Sequence, residues 1–89
     1  MSDGGSVVIT VKVKLFAVAR EQAGRGEVSL QLPAGATVMA AREALGEMLP
    51  GVRGVLGRCG FAVNQAYVTG DARLTEGDEL AVIPPVSGG

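Results

Sequence analysis

The chain has no histidine, and only one of its 89 residues is a cysteine. Without histidine, the side chain that most often acts as a general base near neutral pH is missing, and neither a Ser-His-Asp nor a Cys-His arrangement can form. One cysteine cannot make an internal disulfide or a CxxC pair for zinc or redox chemistry. We therefore expect no conventional, self-contained active site, which leaves binding, carrying or scaffolding as functions.

The cysteine itself lies between Arg58 and Gly60. A neighbouring arginine can lower the pKa of a thiol and make it more reactive. A lone cysteine in a folded domain is more often a small, half-buried apolar residue. We therefore predict a structural role for Cys59.

Charge and hydropathy exclude two classes of partner. The net charge is −1, which is far from the basic footprint of a nucleic-acid-binding protein. No apolar run approaches the ~20 residues of a membrane span, and residues 1–6 lack the basic and apolar regions of a signal peptide. We therefore expect neither nucleic acid nor membrane as a partner, and a cytoplasmic location.

The sequence does contain enough apolar residues to fold. Hydrophobic residues make up 47% of the chain and charged residues 19%, which predicts one domain with a modest core. Residues 1–6 are polar and glycine-rich and are predicted to form a flexible extension. The domain is then expected over residues 7–83, followed by a flexible tail over residues 84–89.

Period-two alternation predicts strands at both ends of this domain. Residues 7–16 alternate, so that Phe16 falls on the face opposite the apolar set Val7, Ile9, Val11, Val13 and Leu15. Residues 27–32 alternate in the same way, and residues 61–63 and 66–68 predict two short strands about Asn64-Gln65. A last strand over residues 79–83 places Ile83 on the face opposite Leu80 and Val82.

One long helix is predicted between these strands. Apolar residues recur at helical spacing at Val38, Ala41, Leu45, Met48 and Leu49. Thr37 is the predicted N-cap of this helix, and Pro50-Gly51 ends it. Residues 17–23 predict a short helical turn closed by Gly24. The glycine-rich residues 51–60 have neither P-loop nor Rossmann spacing, and we predict a flexible connection there, with room for one helical turn.

The order of elements predicts an α+β fold. One amphipathic helix can cover one face of a mixed sheet built from these strands. This is the β-grasp arrangement, in which the first and last strands lie side by side and parallel in the middle of the sheet.

Three stretches of the chain resemble one known family. They are residues 13–24 (VKLFAVAREQAG), 62–68 (AVNQAYV) and 74–89 (LTEGDELAVIPPVSGG). The Pro-Pro-Val-Ser-Gly-Gly ending after Gly-Asp-Glu-Leu-Ala is the most specific of these signals. Together they resemble the small-subunit family of molybdopterin synthase, whose members are ubiquitin-like sulfur carriers. The resemblance covers residues 11–89, and the glycine-rich residues 51–60 and the N-terminal extension depart from it.

The resemblance implies that the chain end carries the chemistry. An E1-like adenylating enzyme would use ATP to convert the Gly89 carboxylate into an acyl-adenylate. A sulfur donor, either a cysteine desulfurase or a rhodanese-like protein, would then form a thiocarboxylate. The large subunit of molybdopterin synthase would take up the tail and pass the sulfur to cyclic pyranopterin monophosphate; the tail residues in its channel would be Pro85, Val86, Ser87 and Gly88. No cofactor bound by the chain itself is expected.

A docking surface is also implied. Alternation turns Phe16 and Ile83 away from the helix-covered face, and adjacent terminal strands would bring them together. Family members dock both the activating enzyme and the large subunit through this sheet face, with Tyr67 at a matching position and Arg20 as the polar contact beside Phe16. An exposed arginine is otherwise an ordinary solvated surface charge.

Three alternatives remain open. A thiamin-type sulfur carrier shares the fold and the terminal Gly-Gly, although the Phe-Ala-x-x-Arg-Glu and Pro-Pro-Val-Ser signatures argue against it. A ubiquitin-like protein modifier would form isopeptide bonds through the same chain end. An interaction domain with an inert tail would need no reactive terminus at all.

Overall fold

The computed structural model describes residues 7–85 of the chain, and residues 1–6 and 86–89, predicted as extension and reactive tail, lie outside the described residues. Its elements are, in chain order, β1 (Val8–Leu15), α1 (Ala17–Ala23), β2 (Glu27–Pro33), α2 (Val38–Met48), a 3-10 turn (Pro50–Val52), α3 (Arg53–Leu56), β3 (Gly60–Val63), β4 (Ala66–Val68) and β5 (Glu79–Ile83).

The five strands form one mixed sheet in the order β2-β1-β5-β3-β4. β1 pairs antiparallel with β2 and parallel with β5, which puts the first and last strands next to each other. β3 pairs antiparallel with both β5 and β4. The α+β, β-grasp prediction is therefore confirmed, including the parallel pair of terminal strands.

The core lies between the sheet and α2. Alternation places Val11, Val13 and Leu15 of β1 and Leu80 and Val82 of β5 on this inner face, and all five are at most 2% exposed. The helix contributes the stripe Val38, Ala41 and Leu45. Thr37 caps it as predicted, because its side-chain oxygen accepts a hydrogen bond of 3.2 Å from the backbone N–H of Ala40.

Two apolar residues predicted to face the core are exposed instead. Val7 precedes the first residue of β1 and is 65% exposed, because this end of the strand projects beyond the area that the helix covers. Met48 is 47% exposed, because it lies at the edge of the apolar stripe of α2. The half-buried Leu49 lies closer to the centre of that stripe.

The glycine-rich segment has more regular structure than its sequence predicted. The sequence predicted a connection with room for one helical turn, and the structure has two helical elements there, the 3-10 turn and α3. Val52, Val55 and Leu56 are buried in the core. The segment approaches α1 closely, because a Cβ on Gly51 would stand 2.5 Å from the carbonyl oxygen of Gln22. Three buried side chains and this backbone contact fix its position.

Candidate functional site

The candidate site begins where β5 ends. Ile83 is the last strand residue, Pro84 is half-buried, and Pro85 is exposed. Proline has no N–H to add to a sheet, so pairing stops here and the chain leaves the domain. The predicted site residues Val86, Ser87, Gly88 and Gly89 lie outside the described residues.

Phe16 is brought to the end of β5 by the register of the two terminal strands. Leu15 pairs with Val82, so the next step along both strands places Phe16 beside Ile83. Phe16 keeps extended dihedral angles (φ −126°, ψ 155°) although it already caps α1, and its side chain therefore alternates away from Leu15. Phe16 is 48% exposed and Ile83 half-buried, so an apolar pair adjoins the root of the tail.

Arg20 lies on the other side of Phe16. Its backbone N–H donates to the carbonyl oxygen of Phe16 at 3.3 Å, one turn into α1. Its side chain lies against Gly26, which precedes β2, and its Nε atom is 3.3 Å from where a Cβ on that glycine would stand. Because β2 and β5 flank β1 on opposite sides, Phe16 stands between Arg20 and Ile83.

Tyr67 shares the sheet face but not the immediate neighbourhood of Phe16. It is 78% exposed on the edge strand β4 and pairs with Ala62, which in turn pairs with Ala81 of β5. Three strand spacings of ~4.8 Å separate β4 from β1. The structure therefore brings Phe16, Ile83 and Arg20 together and places Tyr67 at the far side of the same face.

Between Ile83 and Tyr67 the face is built from small residues that the sequence analysis did not single out as site residues. Ala81 and Ala62 form its middle, and Gly60 pairs with Ile83 at the end that adjoins the tail. We call the outward surface formed by Phe16, Ile83, Gly60, Ala81 and Tyr67 the open face; Ala62 lies on the same side of the sheet but is only 5% exposed. Alternation within residues 60–63 could have predicted the orientation of Gly60 and Ala62, but their neighbours follow only from the strand order.

Two ion pairs lie on this side of the sheet, and Lys14 of one of them pairs with Ala81 of the open face. Lys14 Nζ is 3.9 Å from a carboxylate oxygen of Glu79, and Lys12 Nζ is 3.8 Å from one of Glu27. All four side chains are at least one-third exposed, so each pair contributes little to stability. The end of the open face beside Ile83 is consequently its apolar part.

Cys59 takes the structural role that was predicted. Its side chain is partly buried, and its Sγ donates to the carbonyl oxygen of Val55 at 3.2 Å. Burial raises the pKa of the thiol above its ordinary value, and the nearby Arg58 only partly opposes this effect. The thiol is therefore held in its less reactive, protonated form.

Among residues 7–85, no three carboxylate or cysteine side chains are grouped so that they could hold a metal ion. Within the same part of the chain, no helix is long and apolar enough to cross a membrane.

Comparisons with known proteins identify the family to which this chain belongs. A model described as the ThiS family matches residues 13–89. A relative from Arabidopsis thaliana, named molybdopterin synthase sulfur carrier subunit, is 38% identical over 81 residues, which is 91% of this chain and 84% of the relative. A relative of the same name from Escherichia coli (strain K12) is 40% identical over 83 residues, covering 89% of this chain and 99% of the relative.

Solved structures agree with the fold. SAMP1 from Haloferax volcanii, a small archaeal modifier protein, has a TM-score of 0.82 and 33% identity, covering 90% of this chain and 99% of that chain. A putative molybdopterin converting factor, subunit 1, from Pyrococcus furiosus has a TM-score of 0.80 and 34% identity, covering 88% and 99%. The chain therefore belongs to the ThiS family, and within it resembles the sulfur carrier subunits of molybdopterin synthase.

Proposed function

We propose that this protein is the sulfur carrier subunit of a molybdopterin synthase, and that its working group is the carboxylate of Gly89. One observation carries the proposal: relatives that align with about nine-tenths of the chain are sulfur carrier subunits, and the family match extends to residue 89. The absence of histidine supports it, since a carrier needs no general base of its own.

The chemistry begins with activation of the chain end. A carboxylate is a poor electrophile, so an E1-like enzyme uses ATP to join the Gly89 carboxylate to AMP and releases pyrophosphate. The persulfide of a sulfur donor, a cysteine desulfurase or a rhodanese-like protein, then displaces AMP and forms an acyl disulfide. A thiol reduces the S–S bond of this intermediate, is itself oxidised to a disulfide, and leaves a thiocarboxylate at Gly89. We place these steps in the cytoplasm, where ATP is supplied.

Delivery requires the tail to reach into the partner. Six residues, from Pro84 to Gly89, span at most ~20 Å when extended. Pro84 and Pro85 restrict the first two positions to extended conformations, which reduces the entropy lost on insertion. Gly88 and Gly89 carry no Cβ, so a narrow channel of the large subunit can close around them. There the sulfur passes to cyclic pyranopterin monophosphate, and two loaded carriers are consumed for each product molecule.

Docking uses the open face in this proposal. Phe16 and Ile83 stand beside the root of the tail, with Arg20 next to Phe16. A partner that covers them is held within reach of the tail. Because the activating enzyme and the large subunit need the same surface, each carrier leaves the first before it binds the second.

The decisive experiment is an intact-mass measurement of the untagged protein purified from its own cells. A thiocarboxylate makes the chain heavier by the difference between one sulfur and one oxygen atom, and this increment should disappear when Gly89 is deleted. The loaded protein, mixed with a large subunit and cyclic pyranopterin monophosphate, should lose the increment as molybdopterin forms.

Three other results would contradict the proposal. Lysine-linked conjugates that form while the mass increment is absent would identify a protein modifier. Loss of the increment to a thiazole synthase instead of a molybdopterin synthase would identify a thiamin-type carrier. A variant with a C-terminal tag, shown to be intact, that still restores molybdoenzyme activity would exclude any mechanism at the chain end.

A further inference from the structure

A groove of about 300 Å³ lies between α1 and the glycine-rich segment that faces it. The residues that line it are Val18 and Gln22 of α1, and Gly51, Gly54, Val55 and Arg58 on the other side. We call it the α1–α3 groove. None of the residues of the open face lines it, so it is a separate surface of the protein.

The groove is largely apolar and is closed at one end. Val55 is buried at its base, and Val18 is 37% exposed on its wall. A Cβ on Gly51 would stand 2.5 Å from the carbonyl oxygen of Gln22, so the two segments are in contact there. At Gly54 a Cβ would meet nothing within 4 Å, which leaves the space between the segments open. The groove can therefore receive an apolar side chain.

Arg58 adds one positive charge to this apolar surface. It is exposed, and it is the only charged residue among those that line the groove. Within residues 7–85, the ion pairs are Lys12–Glu27 and Lys14–Glu79, so no carboxylate of this part of the chain pairs with Arg58. The chemistry that fits the groove is a short apolar group that carries a carboxylate.

The tail leaves the domain beside this groove. Gly60 pairs with Ile83, and Arg58 is only two residues before Gly60. α1 begins at the same end of the sheet, because β1 and β5 are parallel and the helix follows directly after β1. The four residues after Pro85 span at most ~14 Å when extended. The terminal carboxylate can therefore reach the side chain of Arg58.

We infer that, in the free carrier, the α1–α3 groove binds this chain's own tail, with Val86 against its apolar wall and the terminal carboxylate paired with Arg58. The thiocarboxylate of the loaded carrier is also an anion, so the groove holds it in the same way between one partner and the next. This meaning for sulfur transfer rests on the proposed function, whereas the contact itself can be measured without any partner.

Size and tethering favour the chain's own tail over a second copy of the protein. A short link to the groove gives the tail an effective concentration of about millimolar, which a separate molecule reaches only at that total concentration. A stable dimer also buries ~800 Å² on each partner, which is more than a groove lined by a few residues supplies. The apolar Val86 and the carboxylate three residues after it match the two kinds of surface that the groove offers.

The test is a zero-length cross-link in the unloaded, full-length, untagged protein that carries Arg58→Lys. A carbodiimide activates the Gly89 carboxylate, the new lysine amine attacks the activated carbonyl, and a urea leaves. One amide bond forms, and the chain loses the mass of one water molecule. Intact mass measures the yield, and peptide mapping by mass spectrometry locates the bond.

Arg25→Lys is the matched control. Arg25 is exposed and precedes Gly26, whose carbonyl oxygen accepts from the backbone N–H of Leu15 at the same end of the sheet. This places it about two strand spacings, ~10 Å, from β5 and outside the groove. A tail that moved freely would reach both amines. We expect a yield of the bond to Gly89 that is several-fold higher with Arg58→Lys than with Arg25→Lys.

A second pair of variants tests the groove itself. Gly54→Leu, added to Arg58→Lys, should fill the groove and lower the yield to that of Arg25→Lys. The fold should tolerate it, because leucine favours a helix over glycine and a Cβ at this position meets nothing within 4 Å. Gly57→Leu is its control, since Gly57 is equally open but does not line the groove, and the yield should not change.

Equal yields with Arg58→Lys and Arg25→Lys would overturn the inference, and so would a yield that Gly54→Leu leaves unchanged. Neither result involves sulfur or a partner, so the proposed function would still be decided by the intact mass of the protein from its own cells. A selective cross-link in a protein that never gains the sulfur increment would support the contact and refute the proposed function.

Discussion

Asn64 and Asp78 are joined by a hydrogen bond of 2.9 Å that ties the turn between β3 and β4 to the entrance of β5. The other end of the Asn64 amide accepts from the backbone N–H of Glu79 at 3.0 Å. The second carboxylate oxygen of Asp78 accepts from the backbone N–H of Thr75 at 2.8 Å. Asn64 adopts φ 51°, a conformation that asparagine tolerates better than most residues. This network fixes the start of the strand that leads to the tail.

The network predicts an acid-dependent loss of stability. The hydrogen bond from Thr75 is the main reason that the pKa of Asp78 lies below its ordinary value of 3.8, with a smaller contribution from Asn64. Because the folded-state pKa is lowered, the stabilisation is present above this ordinary value and is lost as the pH falls through the folded-state value.

Asp78→Asn should therefore be less stable than the wild type at pH 7, by no more than about 1 kcal/mol because the carboxylate is largely solvated. The difference should shrink as the pH falls below about 4. Urea unfolding at pH 7 and pH 3 measures it. A difference at pH 3 as large as that at pH 7 would mean that the charge of Asp78 contributes nothing.

The contact between the 3-10 turn and α1 predicts opposite effects of two Gly→Ala substitutions. Gly51→Ala should lower the free energy of unfolding by about 1–3 kcal/mol, because its Cβ would stand 2.5 Å from Gln22 O and one backbone segment must move. Gly54→Ala should leave stability unchanged or raise it by about 0.5–1 kcal/mol, since it lies within α3 and its Cβ meets nothing within 4 Å. Chemical denaturation of both variants checks this pair, and equal effects would contradict the close approach.

The same segment shows where sequence-based prediction reaches its limit. The alternation of Val11, Val13 and Leu15 is a local signal, and it correctly predicted strand, inner face and burial. The burial of Val52 and Leu56 depends on contacts with helices elsewhere in the chain, while glycine at every third position concealed any local pattern.

The candidate site likewise has a part that local sequence patterns predict and a part that they do not. Alternation and one parallel pairing predict that Phe16 and Ile83 lie side by side, and the register of β1 with β5, which ends at Leu15 and Val82, agrees with this placement. The glycine spacing predicts that Gly60 belongs to a connection. Its place beside Ile83 follows from the pairing of β3 with β5, which no short window of sequence contains. The role of the tail came from a resemblance in its residues, and it stays a prediction.

A Cβ within the tail should impair transfer without affecting the fold. Gly88→Val places a branched side chain where we propose that partner channels close around the backbone, so adenylation and sulfur transfer should both slow. Thermal stability should barely change, because terminal residues contribute few packing contacts. Single-turnover assays with each partner provide the measurement. Gly57→Val is the control, because Gly57 is exposed and has nothing within 4 Å of a Cβ. Normal turnover by Gly88→Val would mean that the channels are wider than proposed.

Phe16→Ala distinguishes a docking residue from a core residue. Phe16 is 48% exposed, so truncation should change stability far less than the ~3–5 kcal/mol typical of a buried phenylalanine. If Phe16 anchors both partners, each complex should weaken by ~1–3 kcal/mol. The activating enzyme and the large subunit should also compete for the carrier, because both would cover the same side chain.

Met48→Ala is the matched control for this variant. Met48 is 47% exposed and lies on α2, which covers the opposite face of the sheet, so its truncation removes a similarly exposed apolar side chain away from the open face. Calorimetry should then show weakened binding for Phe16→Ala and unchanged binding for Met48→Ala, while thermal melts of the two stay close to the wild type. A large loss of stability in Phe16→Ala with undiminished affinity would place Phe16 in the core. Equal losses of affinity in both variants would show that exposed apolar area in general, and not the open face, governs docking.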